Sequence, residues 1–267
     1  MIRLFCSDFD GTLSPSTTIS PENVLAIRQL QDAGVVFALV SGRPKANAQK
    51  ILARAGLTIP MVTSNGSVVT LANGRDVFNK GIALDAIEDI LEEANRRKSF
   101  YIAYEQDRCF LPPWVPFLGM KSMTRLVQKK TGILPERLCK DDLAGWTVTK
   151  FNYYPLGKPN EEDWLRWQND ERVYVTTSSP HKLELSASGV SKGNAVRILA
   201  QELGIRSDEV AAIGDYLNDC DMLKAAALRF AVANARAELK AIADHVVSSA
   251  KENGVAEAIH YVLAHQR

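Results

Sequence analysis

Short apolar runs that end in polar, glycine-bearing loops and lead into amphipathic helical stretches set the terms for this chain. Residues 2–6 are such a run, and they open onto Asp8 and Asp10, then Gly11 and Thr12. Ser20 followed by Pro21 reads as a helix start, an N-cap with a first-turn proline. Val24, Ile27 and Leu30 supply the buried stripe of that helix, and Gly34 closes it. Residues 35–40, VVFALV, are apolar throughout, as expected of a strand buried on both faces. They lead into Ser41-Gly42-Arg43-Pro44 and a second helix carrying Ala48, Ile51, Leu52 and Ala55. A third strand at 61–63 runs into Ser64-Asn65-Gly66, and 67–79 read as a hairpin turning on Asn73-Gly74. The order β-α-β-α-β, with a polar loop after each strand, predicts an α/β domain whose loops gather at the carboxyl edge of a parallel sheet.

The middle of the chain breaks this alternation. All four tryptophans, Trp114, Trp146, Trp164 and Trp167, fall between residues 100 and 175. A helix over 84–97 precedes extended stretches at 100–105 and 147–154, a polar helical stretch at 160–169, and strands at 173–177 and 182–186. Strands not separated one by one by helices predict an antiparallel α+β insert, with most of the aromatics as its core. Residues 111–117, with three prolines, read as an irregular loop. Alternation resumes after Gly189: a helix from Ser191 bears Val196, Leu199, Ala200 and Leu203 and ends at Gly204. A strand at 210–213 then enters Gly214-Asp215-Tyr216-Leu217-Asn218-Asp219. Further β-α units follow, with helices near 235–242 and 254–264. The chain therefore divides into one discontinuous domain, 1–81 and 186–267, and an inserted one, 82–185.

Composition narrows the class. With 267 residues, 24% charged and 46% hydrophobic, the chain has the balance of a globular protein with a full core. A formal net charge of +1 gives no reason to expect nucleic acid or an acidic membrane as partner, and no protein partner is indicated. The basic clusters Arg96-Arg97-Lys98 and Lys129-Lys130 read as solvated helix faces. Cys6, Cys109, Cys139 and Cys220 are scattered without a CxxC pair, which fits neither a disulfide frame nor a zinc site, and Cys6 and Cys220 read as buried thiols. With no signal-peptide pattern and no apolar run of spanning length, a cytoplasmic protein is expected.

Asp8 and Asp10 are two residues apart, so on a continued strand they point the same way, and two like charges held together call for a cation or a proton. An acidic turn that caps the next element is the other reading of that stretch alone. The later loops add Ser41, Lys192, Asp215, Asn218 and Asp219. Asp8, Asp215 and Asp219 offer the hard oxygens that Mg²⁺ prefers, while Ser41 and Lys192 suit phosphoryl oxygens. His181, His245, His260 and His265 lie outside these loops, and no GxGxxG or GxxxxGK[ST] is present.

These motifs resemble the haloacid dehalogenase (HAD) superfamily of phosphohydrolases, specifically its Cof-type branch. DFDGTLS, LVSGRP, GVSKGNAV and IGDYLNDCDML are similar to its four motifs in order and spacing, and TSNGSVV and VANARAELKAIADHVV are secondary matches. The resemblance implies a Rossmann-like parallel-sheet core with an inserted α+β cap of the C2 type. It implies that Asp8 is the nucleophile forming an aspartyl-phosphate, and that Asp10 is the general acid and then the base. Ser41 and Lys192 would hold the phosphoryl group, with Mg²⁺ on Asp8, the Asp10 carbonyl and Asp215, supported by Asn218 and Asp219. Gly42, Arg43, Asn65, Gly66 and Asn218 would lie at the substrate. The expected activity is Mg²⁺-dependent hydrolysis of a small phosphorylated metabolite, a sugar phosphate above all. Phosphomutase action on hexose phosphates and a non-catalytic phosphometabolite sensor are the alternatives. Asp219 as a cap of the following helix, and Asn234 as a turn residue, are their structural readings. The stretch SSAKENGVAEAI departs from the family by lacking an acidic run before Gly254-Val255-Ala256.

Overall fold

The computed structural model describes residues 1–105, 108–114, 124, 125, 127, 128, 133–138, 147–155 and 161–265. The expectations for Trp146, Cys139, Lys129, Lys130 and residues 115–117 lie outside the described residues. The chain forms two compact units, Met1–Gly42 with Ala48–Phe78 and Ser191–Arg267, and Arg43–Asn47 with Asn79–Val190.

The chain starts with β1 (Leu4–Asp8), α1 (Pro21–Asp32), β2 (Val36–Val40), α2 (Lys45–Arg54), β3 (Met61–Thr63), β4 (Val68–Thr70) and β5 (Asp76–Asn79). Ser20 caps α1 by accepting from the Asn23 N–H at 3.1 Å, and Gly34 follows the helix at φ +80°, a left-handed turn that glycine adopts without strain. Asn73-Gly74 makes the β4–β5 turn, with the Gly74 N–H donating to the Leu71 carbonyl at 2.9 Å.

Next come α3 (Leu84–Arg96), β6 (Phe100–Glu105), β7 (Arg108–Leu111), β8 (Pro135–Arg137), β9 (Val148–Tyr154), α4 (Glu161–Gln168), β10 (Val173–Thr176) and β11 (Leu183–Ala187). They build a six-stranded sheet in the order β10-β11-β9-β6-β7-β8. Tyr101, Phe151, Tyr153 and Trp167 are buried in this unit, whereas Trp114 is exposed and Trp164 half-buried, so the aromatics are its core only in part. The sheet is mixed rather than antiparallel, because β7 and β8 run parallel. Leu111 belongs to β7 rather than to an irregular loop. Neither strand shows in the sequence. Four residues beginning with arginine carry almost no alternation, and Pro135-Glu136-Arg137 is an edge strand opening on proline, where the missing N–H is tolerated.

The chain returns through α5 (Lys192–Glu202), β12 (Val210–Gly214), α6 (Cys220–Lys224), β13 (Leu228–Val232), α7 (Ala237–Lys240), β14 (His245–Val247) and α8 (Gly254–Ala264). The helix near 235–242 is thus a single short turn. The first unit's sheet has the order β14-β13-β12-β1-β2-β3-β4-β5, parallel from β14 to β3. Cys6 and Cys109 are buried and Cys220 is half-buried. Phe5 on β1 stacks on Phe37 at 5.7 Å and on Phe230 at 6.1 Å, fastening three strands through one cluster. Each fully buried phenylalanine contributes about 1.5–3 kcal/mol. Among the described residues, no helix is long and apolar enough to cross a membrane. The strand order reverses direction on either side of β1, and a parallel sheet opens its crevice at such a switch point, beyond the carboxyl ends.

Candidate active site

β1 delivers Asp8 to that edge. Its last residue pairs with Val40, so Ser41, the next residue on β2's exit, leaves the sheet beside it. The strand stops at Asp8. Phe9 and Leu13, both fully buried, anchor the turn that follows, and the Leu13 and Ser14 N–H groups donate back to the Asp8 and Phe9 carbonyls at 3.2 and 3.0 Å. Asp10 therefore lies past the strand, with a single bridge to Ser14. Asp8 is 4% exposed and Asp10 is exposed, so one strand does not continue through both, although the Asp10 charge still acts on Asp8 and Asp215.

Lys192 is the first residue of α5 and is 2% exposed. Its Nζ lies 2.6 Å from Asp8 Oδ1 and 2.6 Å from Asp219 Oδ1. Ser191 caps the helix through the Asn194 N–H at 3.1 Å. Asp219, 1% exposed, also accepts through Oδ2 from the Asp215 and Tyr216 N–H groups at 3.0 and 3.1 Å. Its side chain makes no cap bond to α6. Both its oxygens are engaged within the protein, one on the ammonium and one folding the Asp215 loop. Gly214 is required for this, since a Cβ there would fall 2.6 Å from the Asp219 Cβ.

Asp215 Oδ1 accepts from the Thr12 hydroxyl at 3.2 Å, which ties the β12 loop to the β1 loop. Gly11, at φ +83°, gives Asp215 its space, because a Cβ there would lie 2.4 Å from Asp215 Oδ2. One oxygen each from Asp8, Asp215 and Asp219 lies within 4.8 Å of the others. Burial first, then the charge of Asp219, pushes the Asp8 carboxyl well above the ordinary range despite Lys192. The same two causes push Asp215 up to about 7. Lys192 is held above its ordinary value, because the two carboxylates outweigh the burial that would lower it. Three buried or half-buried carboxylates thus face one ammonium. The donor set is all oxygen and the surplus charge is negative, which fits a divalent hard cation.

The loop after β3 is tightly wound. Ser64, Asn65 and Gly66 have φ of 51°, 59° and 108° in succession. The Asn65 N–H donates to the Ser41 carbonyl at 3.1 Å, joining the second and third loops. Gly66 lies against α5: a Cβ there would stand 2.3 Å from the Ser191 carbonyl oxygen. Ser41, Asn65 and Asn218 are buried, and Gly42 is half-buried at the end of the first unit's opening segment. Arg43 falls with the second unit, where its guanidinium donates to Asn47 Oδ1 at 2.7 Å.

Three residues near the site lie in the matched motifs without a catalytic or binding role assigned to them from the sequence. Thr12 is the bond to Asp215 just described. Asn234 does more than close a turn: its Nδ2 donates to the Gly11 carbonyl at 2.8 Å and its Oδ1 accepts from the Ala250 N–H at 2.8 Å. Asp221 Oδ2 accepts from the Gly193 N–H at 3.0 Å. Each acts through a residue far away in sequence, so its motif marks the residue but not the partner. In the divergent 248–259 stretch, Asn253 is left-handed at φ 62°, and Glu252 and Glu257 accept from the Ser249 and Ser248 N–H groups at 3.3 and 2.8 Å. Its acids are backbone caps.

Known proteins share this architecture. The Bacillus subtilis (strain 168) phosphatase YwpJ is 28% identical over 287 residues, covering 98% of this chain and 100% of that protein. The 5-amino-6-(5-phospho-D-ribitylamino)uracil phosphatase YcsE of the same organism is 28% identical over 270 residues, covering 98% of this chain and 96% of that protein. A solved haloacid dehalogenase-like hydrolase from B. subtilis superposes with a TM-score of 0.85 at 26% identity, covering 98% of this chain and 100% of that one. The family model for haloacid dehalogenase-like hydrolases matches residues 5–259, a span that includes every loop gathered around Asp8. The chain belongs to the haloacid dehalogenase-like hydrolases, in their Cof-type branch.

Proposed function

We propose that this protein is a Mg²⁺-dependent phosphatase that hydrolyses the monoester of a small phosphorylated metabolite through an aspartyl-phosphate on Asp8. The observation that carries the reading is the buried Asp8 carboxylate held 2.6 Å from Lys192, with Asp215 and Asp219 beside it. A phosphomonoester dianion repels a carboxylate, so attack needs positive charge at the same place. Asp8, the Asp10 carbonyl and Asp215 would hold Mg²⁺, which would supply that charge. Lys192 keeps the nucleophile oriented and stays on the transferring oxygens as the charge of Asp8 is consumed.

The steps for the chain's own groups are these. An Asp8 carboxylate oxygen forms a bond to phosphorus in line with the ester oxygen, whose P–O bond breaks. Asp10 gives that oxygen its proton and leaves as carboxylate. The same carboxylate then takes a proton from water, whose oxygen attacks phosphorus, releasing phosphate and restoring Asp8. An exposed Asp10 can exchange protons with solvent between the two halves, which a buried one could not. Ser41 donates to the phosphoryl group, Asp219 positions Lys192, and Gly42, Arg43, Asn65, Gly66 and Asn218 contact the substrate. Residues 82–185 serve as the cap on a core of 1–81 and 186–267, excluding water and choosing the leaving group. A sugar or polyol phosphate is the substrate class, which agrees with the ribityl phosphate in the name of one relative.

Incubation of the purified protein with Mg²⁺ and a panel of phosphate monoesters tests the reading by the release of free phosphate. Asp8→Asn, isosteric but uncharged, is expected to lose turnover by about 10³-fold or more with an unchanged melting curve. Isomerised ester without phosphate would make the protein a mutase. No release from any ester would overturn the phosphatase reading.

A further inference from the structure

Lys192 is gripped at both ends by one three-residue segment. Asp219 takes its ammonium at 2.6 Å, and two residues later Asp221 Oδ2 takes the N–H of Gly193, the residue after it, at 3.0 Å. The first turn of a helix has N–H groups without intrahelical partners, and a carboxylate there also meets the positive end of the helix dipole. In α5, Ser191 serves the Asn194 N–H, and Asp221 serves the Gly193 N–H from a different element.

The fit leaves no slack. A Cβ on Gly193 would lie 2.3 Å from the Asp221 carbonyl oxygen, and one on Gly66 would lie 2.3 Å from the Ser191 carbonyl oxygen. The start of α5 is therefore wedged between the first turn of α6 and the turn after β3. Asp219 alone would not fix the ammonium, because a lysine has four rotatable side-chain bonds and would follow a single partner. With the backbone also pinned to the same segment, the distance from Lys192 to Asp8 is set by α6 rather than by the nucleophile.

We propose that Asp221 is a positioning residue that holds Lys192 in place through the Gly193 N–H, so that the ammonium keeps its position when Asp8 turns from carboxylate to acyl phosphate. The effect on turnover rests on the phosphatase reading; the effect on Lys192 rests on the geometry alone. Asp221→Ala removes the acceptor, Asp221→Asn keeps an oxygen at the same reach, and Ser20→Ala removes an ordinary cap from α1, remote in sequence and not part of the site.

Two measurements separate the cases. The first is the kinetics of p-nitrophenyl phosphate hydrolysis with saturating Mg²⁺. The second is the rate at which acetic anhydride labels Lys192, read by mass spectrometry of the digest. Asp221→Ala is expected to lower kcat about tenfold or more while KM moves little, and to speed Lys192 labelling severalfold. Asp221→Asn is expected to restore most of both, and Ser20→Ala to lower only the melting temperature. Where Asp221→Ala fails to fold, Asp221→Ser, whose oxygen is one bond shorter, takes its place with the same expectation. Unchanged labelling in the acceptor-deleted variant, or equal kcat losses in it and in Ser20→Ala, would overturn the proposal. A wild-type protein that hydrolyses nothing would overturn the phosphatase reading and leave the labelling to decide on Asp221.

Discussion

At the residue scale the site is defined by a charge imbalance. Asp8, Asp215 and Asp219 converge on one ammonium, and the consequence is an Asp8 carboxyl raised well above its ordinary range and an Asp215 carboxyl raised to about 7. Without a cation, the folded protein thus holds protons that the unfolded chain releases near pH 4. Stability present at low pH is lost as the pH rises through about 7, the opposite of an ordinary paired aspartate. A divalent cation that replaces those protons restores the loss. Saturating Mg²⁺ is therefore expected to raise the melting temperature more at pH 8 than at pH 5.5, as read by differential scanning fluorimetry. Equal shifts at the two values would show that the carboxylates are not what the cation meets.

Between elements, the contacts that assemble the site come from polar side chains that look unremarkable in sequence. Asn23 is the polar residue on the buried face of α1, in line with Ala26, Ile27 and Leu30, and is 1% exposed. Its Nδ2 donates to the Leu13 carbonyl in the loop after β1, and its Oδ1 accepts from the Ala256 N–H in the first turn of α8, each at 3.0 Å. One amide thus joins a helix, the nucleophile's loop and the C-terminal helix. Asn23→Ala takes the side-chain donor from the Leu13 carbonyl and leaves the Ala256 N–H with the Asn253 carbonyl alone, at 2.9 Å, and is expected to cost about 1–3 kcal/mol in urea unfolding, with the slope unchanged. The strands and caps were legible because their causes are local: the apolar run at 35–40, Ser20 before Pro21, Gly34 after α1. The roles of Asn23, Asn234 and Asp221 were not, since each depends on a partner more than 15 residues away. The end of β1 at Asp8, before Asp10, was hidden for the same reason. It follows from where Phe9 and Leu13 bury, which no spacing rule states.

At the scale of the whole molecule, the sequence showed an interruption in the β-α alternation, and the structure shows two compact units. What it hid was the second unit's inner order, because β7 and β8 gain their register from a sheet rather than from their own residues. The first unit's main core cluster, from Leu4 to Val262, includes no residue between 79 and 190, and Val77 and Phe78 pack against it just before the chain departs. The outgoing and returning segments lie together: Lys80 Nζ donates to the Ser188 carbonyl at 2.8 Å. A short Gly-Ser linker in place of Asn79–Val190 therefore joins ends that are already near, and loop closure over a few residues adds little entropy cost. Such a protein is expected to unfold in one cooperative step and to be stabilised by Mg²⁺ at pH 8, because Asp8, Lys192, Asp215 and Asp219 all remain. All four tryptophans leave with the excised segment, so the transition is followed by far-ultraviolet circular dichroism. A broad transition with no response to Mg²⁺ would mean that the first unit's core does not hold these four side chains together without the second.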